Sequence, residues 1–409
     1  MFRLGINYWP ARSAMRWWRR FDAGEVERDF ARIRSAGFDT VRIFLLWEDF
    51  QPAPEYIAEE MLRRLVRVAD IAARCDLALM PTLFTGHMSG VNWLPLWAVD
   101  FDAPAAPQRF RIVAQDQVIE AVPRNWYVDE EIVEAQALLA RYVAEALGEH
   151  PAVWAWDLGN ENSNCVVPPS RALAVAWLER MAGEIRSADR VHPITIGLHM
   201  EDLEEDRKLG PAEAARVCDF LCMHGYPLYA DWAAGPTDEA LLPFLGLLTY
   251  WLGGREVLFE EFGAPTMPTD AKLAQTIADL STFKLLAEDE AASYTKRALN
   301  ALHRFGFMGA FLWCANDYDE AIWDEPPLDL AVHERFFGLW RADGSAKPAV
   351  AEISPFVGRE RRQLNADFEW IGIERERFYA NPRRHLVALY ARFKEHFAEE
   401  FPSSRAVGE

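Results

Sequence analysis

The sequence predicts an α/β protein: a (β/α)8 TIM barrel with long loops after its strands and a helical extension at the C-terminal end. Three observations lead there. Eight short apolar segments, mostly separated by helical patterns, span residues 4–350, as expected of a parallel sheet covered by helices. No G-x-G-x-x-G or Walker sequence follows the first segment, which makes a doubly wound open sheet the weaker alternative. The polar residues of these segments gather at their C-terminal ends, where an α/β barrel collects its chemistry.

The first strand, Leu4–Trp9, is ended by Pro10, and an aromatic, basic loop with Trp17 and Trp18 follows. Asp22 caps a helix, with Glu25 three residues on. Val26, Phe30 and Ile33 make its apolar stripe, and Gly37 stops it. The second strand, Thr40–Trp47, is apolar except for Arg42, as suits a strand covered on both faces. A buried charge without a partner is costly, so Arg42 needs either a structural salt bridge or an active-site carboxylate. A helix near Glu55–Arg74 leads to strand Leu77–Phe84, and a long insertion, Thr85–Tyr127, follows. A helix around Asp129–Leu147 precedes the run V-W-A-W-D-L-G-N-E-N that starts at Val153. Next come helix Ala172–Arg186 and strands Pro193–Leu198 and Phe220–Tyr226, with an acidic, poorly defined stretch between them. Helix Asp238–Leu252, strand Glu256–Phe262, helix Asp289–Phe305 and strand Gly309–Asn316 complete the pattern. Residues 1–355 are thus expected to form the barrel. Residues 356–409 form an extension packed on it, helical over Pro382–Glu400, with Leu386, Leu389, Phe393 and Phe397 on one face.

The formal net charge of −20 disfavours nucleic acid and anionic membrane surfaces as partners. No stretch approaches the roughly 18 apolar residues of a membrane span. Five cysteines without a paired framework read as reduced thiols, and Cys218 and Cys222 lack the second pair of a zinc site. Together with an N-terminal stretch unlike a signal peptide, this points to the cytoplasm. No metal or organic cofactor is expected, and the oligomeric state is left open. Sixteen tryptophans supply core and also platforms for the apolar faces of sugar rings.

Glu161 closes the fourth strand, and Glu261 closes the seventh, E-V-L-F-E-E-F-G, 100 residues later. Its neighbour Glu260 is expected on the opposite face by strand alternation, as a salt-bridge partner outside the pocket. Arg42 lies in strand two, His87 follows strand three, and Asn160 precedes Glu161. His224 and Tyr226 end strand six, and Trp313 lies in strand eight. His150, His192 and His199 receive no role. Two carboxylates, hydrogen-bonding partners and a Trp floor are what glycoside hydrolysis needs, with one carboxyl protonated and the other ionised.

These motifs resemble glycoside hydrolase family 5, the cellulase and β-mannanase family of clan A, over residues 4–350. The resemblance implies that Glu161, in Asn160-Glu161, is the acid/base, and that Glu261, in Glu261-Phe262-Gly263, is the nucleophile. It assigns substrate contacts to Arg42, His224, Tyr226 and Trp313, and less directly to His87. The expected activity is retaining hydrolysis of β-mannosides or β-glucosides, exo-acting on short oligosaccharides. An endo-acting mannanase or cellulase, a β-galactosidase of the same clan and an idle carbohydrate-binding barrel are the alternatives. The expectations extend to detail. Arg42 and Tyr226 keep Glu261 ionised, burial and nearby negative charge keep Glu161 protonated, and the two carboxyls stand about 5–5.5 Å apart. The Thr85–Tyr127, Asn316–Trp340 and Trp17–Trp18 loops wall one end of the cleft, and Asp317, Asp319, Trp323, Asp324 and Glu325 lie over the same face.

Overall fold

Eight parallel strands form the barrel in the computed structural model, which describes residues 1–103 and 108–401. Residues 104–107 of the insertion and 402–409 of the extension lie outside the described residues. The strands are β1 (Arg3–Asn7), β2 (Thr40–Leu46), β3 (Ala78–Thr85) and β4 (Trp156–Asn160), then β5 (Ile194–Gly197), β6 (Leu221–His224), β7 (Val257–Phe262) and β8 (Gly309–Leu312). Their lateral order is β5-β4-β3-β2-β1-β8-β7-β6. The ring is drawn nearly closed between β5 and β6 by Asp219 N–H to Ile194 O and His224 N–H to Leu198 O, both 2.8 Å.

Helices Ala23–Ser35, Glu59–Arg74, Glu130–Leu147, Arg171–Ala188, Leu241–Gly253 and Glu288–Phe305 cover the outside. Asp22 caps the first by accepting from the N–H groups of Gly24 and Glu25, satisfying donors that a helix start leaves free. Gly37, with φ of 101°, takes the left-handed turn that ends it. The acidic stretch before β6 holds only the short helices Glu201–Glu204 and Pro211–Ala214. The eighth strand stops at Leu312 rather than Asn316, so Trp313 stands just beyond it, at the barrel mouth.

The Thr85–Tyr127 insertion contains a four-stranded sheet and a two-stranded one. The extension carries helix Pro382–His396, which buries Leu386, Leu389, Tyr390 and Phe393. Phe393 packs on Phe244 of the Leu241–Gly253 helix, with ring centroids 5.6 Å apart, and on Trp370 at 5.4 Å. The helix thus covers the Leu241–Gly253 helix and also meets the short helix Glu201–Glu204, where Arg383 pairs with Glu204 at 2.6 Å, but no residue of it lines the pocket at the barrel mouth.

Phe393→Ala is expected to lower stability by about 3–5 kcal/mol, the cost of emptying a buried aromatic site. Denaturant unfolding monitored by circular dichroism measures it. An unchanged midpoint would mean that the extension is not part of the folded core.

Candidate active site

The barrel interior is layered. A small apolar plug of Met80, Ala155, Phe220, Cys222, Leu258 and Phe311 fills the bottom. Above it lies a polar layer built on Arg42, whose side chain is fully buried. Its guanidinium donates to Asp157 Oδ2 at 2.7 Å, Thr82 Oγ1 at 2.9 Å, Asn160 Oδ1 at 2.9 Å, Asn7 Oδ1 at 3.2 Å and Glu261 Oε1 at 2.5 Å. Glu260 Oε1 lies 3.4 Å from its Nε. Three carboxylates around one guanidinium hold Arg42 charged against its burial. Arg42 thus pairs with buried acids below and with Glu261 above. Gly197 lets this cluster close up, because a Cβ there would lie 3.0 Å from Glu260 Oε2 and 3.1 Å from Arg42 Nη2.

Two strand irregularities aim the acids. The pairing of β4 with β5 shifts register between Asp157 and Asn160. Glu161 then takes a left-handed backbone, φ 50° and ψ 44°, a conformation that costs free energy in a non-glycine residue and gathers at functional sites. On β7 the register shifts against both neighbours. A bulge of this kind breaks strict alternation, so Glu260 and Glu261 both point inward. This corrects the expectation for Glu260. It is a salt-bridge partner, as its sequence suggests, but it sits under the pocket, completely buried, with Oε2 2.9 Å from His224 Nε2.

Glu261 accepts from Tyr226 OH at 2.8 Å as well as from Arg42. Even so, burial pushes its carboxyl up, against the pull of His224 and Arg42, and the charge on Glu161 adds to the rise. Glu161 behaves oppositely. Burial opposes its ionisation, but His199, His224 and His87 surround it and hold its carboxyl down to about 2. The expectation that Glu161 rests protonated is therefore corrected: facing imidazoles outweigh desolvation. His224 Nδ1 lies 2.9 Å from Glu161 Oε1. With a carboxylate at each ring nitrogen, and despite burial, His224 is pushed up to about 10 and rests as an imidazolium. His87 is moved down by burial; its Nδ1 meets Asn92 Oδ1 at 2.8 Å and its Nε2 lies 3.8 Å from Glu161.

An oxygen of Glu161, a nitrogen of His224 and an oxygen of Glu261 all lie within 4.8 Å of one another. They form a candidate metal triad among the described residues. An imidazolium whose two N–H groups point at carboxylates has no lone pair for a cation, so His224 does not suit that role.

The mouth above these acids is a pocket of about 340 Å³. It brings together Glu161, Glu261, Asn160, His87, His224, Tyr226 and Trp313, with Arg42 immediately beneath. Sequence reasoning missed several wall residues. His199, given no role, is buried with Nδ1 4.0 Å from Glu161 Oε2 and 2.5 Å from Glu201 Oε2; its position just past β5 was the available signal. Asp157 and Asn7 below, and Tyr229, His333 and Glu334 above, carried no such signal. His150 and His192 pair with Asp70 and Asp189, away from the pocket lining. Trp17 and Trp18 do not wall the cleft: both are buried, and Trp18 donates to Phe44 O. Asp317 is likewise buried against Lys347 at 2.7 Å.

A barrel with carboxylates at the ends of β4 and β7, over a buried arginine, is the arrangement that the resemblance to the clan A glycosidases implies. No protein-family profile matches the chain. It is 25% identical over 291 residues to a provisionally named mannan endo-1,4-beta-mannosidase 5 of Oryza sativa subsp. japonica, covering 63% of this chain and 56% of that one. The structure of exo-beta-1,4-mannosidase Op5Man5 from Opitutaceae bacterium strain TAV5 superposes with a TM-score of 0.69 at 27% identity, over 87% of this chain and 59% of that one. The chain thus spans a little over half the length of these two relatives. A GH5_18 structure from Streptomyces cattleya in complex with Manβ1-4GlcNAc shares the fold, with a TM-score of 0.74 at 22% identity over 100% of this chain and 92% of that one. The chain is thus similar in sequence to mannosidases and in fold to a glycoside hydrolase of the GH5_18 group.

Because the folded pKa of His224 is raised from 6.5 to about 10, its contribution to stability is complete below pH 6.5 and is lost as pH rises through 10. Unfolding free energy is expected to fall over that window more steeply in the wild type than in His224→Gln. The excess slope is at most about 1.4 kcal/mol per pH unit. Parallel slopes in urea titrations would place the imidazolium elsewhere.

Proposed function

We propose that the chain is a retaining β-glycoside hydrolase that removes terminal sugars from short β-mannosides, with β-glucosides as the second substrate class. The observation that carries this reading is the close approach of Glu161 and Glu261 on the floor of the pocket, within 4.8 Å. That spacing suits a nucleophile in direct contact with the sugar, whereas inversion needs roughly 6.5–9.5 Å to admit a water. A Glu261 oxygen attacks the anomeric carbon as the bond to the leaving oxygen breaks, and Glu161 delivers a proton to that oxygen. Water, deprotonated by Glu161, then releases the sugar. The resting proton sits on His224 Nδ1, one hydrogen bond from Glu161 Oε1, and transfers as the leaving oxygen arrives. Arg42 and Tyr226 orient Glu261, Asn160 and His87 face the substrate, and Trp313 supplies the ring platform.

Mannosides lead because relatives bear mannosidase names. Exo-action is supported by a clasp of ion pairs between loops. Arg111 of the insertion grips Asp329 of the loop after β8 through two bonds of 2.7 Å. Arg16, after β1, reaches Asp116 at 2.7 Å and Glu325 at 3.1 Å. A polymer crossing an open groove would have to part these contacts. On this reading the loop arginines take the place of the wall expected of the Trp17–Trp18 loop. Five unpaired cysteines support a cytoplasmic location.

Glu261→Ala is expected to lower kcat/KM on nitrophenyl β-glycosides by about 10⁴-fold or more, and wild-type activity in this variant would remove Glu261 as nucleophile. Product analysis with a defined mannooligosaccharide tests the mode of attack. Monosaccharide alone is expected early, and an early spread of mid-length fragments from mannan would overturn exo-action.

A further inference from the structure

Three buried or half-buried acids among those of the loop after β8 have different fates. Asp317 is neutralised by Lys347 at 2.7 Å, and Asp329 by Arg111. Glu334 has no such partner. Among the described residues no arginine or lysine forms an ion pair with it, and its titratable neighbour is His333, with Nε2 3.5 Å away. Glu334 is nevertheless buried, 6% exposed, and lines the pocket.

Its hydrogen bonds come from neutral groups. Ser89 Oγ donates at 3.0 Å, Tyr229 OH lies at 3.1 Å and shares itself with His333 Nε2 at 2.9 Å, and Trp313 Nε1 is a long 3.4 Å away. A carboxylate has about four acceptor positions, so these donors leave capacity toward the pocket. Burial pushes Glu334 up to about 7, with the three donors opposing and the charge on Glu161 adding. A structural acid in such surroundings would be better replaced by an apolar residue, since burying an unpaired carboxylate costs stability. Its cost is offset when hydroxyl donors of a ligand complete the cluster.

Position says which hydroxyls. Trp313 turns its indole Nε1 edge toward Glu334, so a sugar lying on the indole face presents its rim to this carboxylate. Glu161 and Glu261, which hold the scissile side, come from the ends of β4 and β7, whereas Glu334 enters the same pocket from the loop after β8. Resting on the hydrolase reading above, we infer that Glu334, braced by Ser89 and Tyr229, reads hydroxyls on the rim of the terminal sugar remote from the scissile bond, foremost that at C4. Ser89 comes from the insertion and Glu334 from the loop after β8, so the same contact closes the pocket and reads its occupant. A sugar substituted at C4 would lose the donor and meet this wall, which selects free non-reducing ends.

The test compares wild type, Glu334→Gln and Glu334→Ala on the nitrophenyl β-mannoside or β-glucoside that the wild type cleaves faster, and on its 4-deoxy and 6-deoxy analogues. Calorimetric titration with the matching methyl β-glycosides runs alongside, and melting temperatures check folding. Both variants are expected to lose about 100-fold or more in kcat/KM on the parent, as when a hydroxyl-reading group is left without its bond. On the 4-deoxy analogue they should fall within about threefold of the wild type. Equal losses on parent and both analogues would mean a structural role and overturn the inference, as would no loss on the parent. Equality on the 6-deoxy analogue alone would overturn the C4 assignment. If the wild type cleaves no β-glycoside, the hydrolase reading fails instead. The titrations then decide for Glu334: weakened binding of the parent but not of the 4-deoxy glycoside supports it, and any other pattern overturns it.

Discussion

The buried guanidinium of Arg42 is the constraint around which the barrel interior is arranged. It touches side chains from β1, β2's neighbour β3, β4 and β7: Asn7, Thr82, Asp157, Asn160 and both Glu260 and Glu261. A charge at that depth is tolerated only with its hydrogen bonds filled and its charge matched. Every strand that supplies a partner is thereby held in one register. Asn7 extends the tie by donating to the carbonyls of Glu260 and Leu312, so the ends of β1, β7 and β8 are fixed together. The nucleophile candidate is the uppermost partner of this network, and its position follows from the strands beneath it.

One consequence is a division of labour among acids of the same type. Asp157 is pushed up to about 6 by burial and by Glu260, while Arg42 pulls it down. Glu260 is lowered by Arg42 and His224 despite its burial. Glu161 sits among imidazoles, and Glu334 sits among neutral donors. Four buried carboxyls in one barrel are therefore shifted in opposite directions, Asp157 and Glu334 up and Glu161 and Glu260 down, according to the partner each faces. An enzyme that moves a proton toward a leaving oxygen needs such unequal sites.

The second organising feature is the contact between loops that are distant in sequence. The insertion after β3 and the loop after β8 meet through Ser89–Glu334 and Arg111–Asp329. Arg16 joins the loop after β1 to both. Surface ion pairs contribute little to stability one at a time. Here they tie the insertion and the loops after β1 and β8 to one another.

Much of this was legible in the chain itself. Apolar segments of strand length spaced by amphipathic helices have few ways to bury their faces, so the barrel and its strand ends could be read directly. That reading located Arg42, Asn160, Glu161, His224, Tyr226, Glu261 and Trp313, because a polar residue at the end of a buried strand is a strong local signal. The orientation of Glu260 was misread, since alternation assumes a regular strand and a bulge is decided by the pairing of β7 with both neighbours. The ionisation of Glu161 was misread as well, because it depends on three histidines carried by the β3, β5 and β6 ends. Ser89, Tyr229 and Glu334 lie in loops without periodicity, so their meeting was invisible in sequence. The sequence by itself determined the class of fold and the residues at strand ends, which local patterning encodes. Tertiary structure alone decided the proton affinities and the pocket wall, because both arise from groups that only the closed barrel brings within a few ångströms.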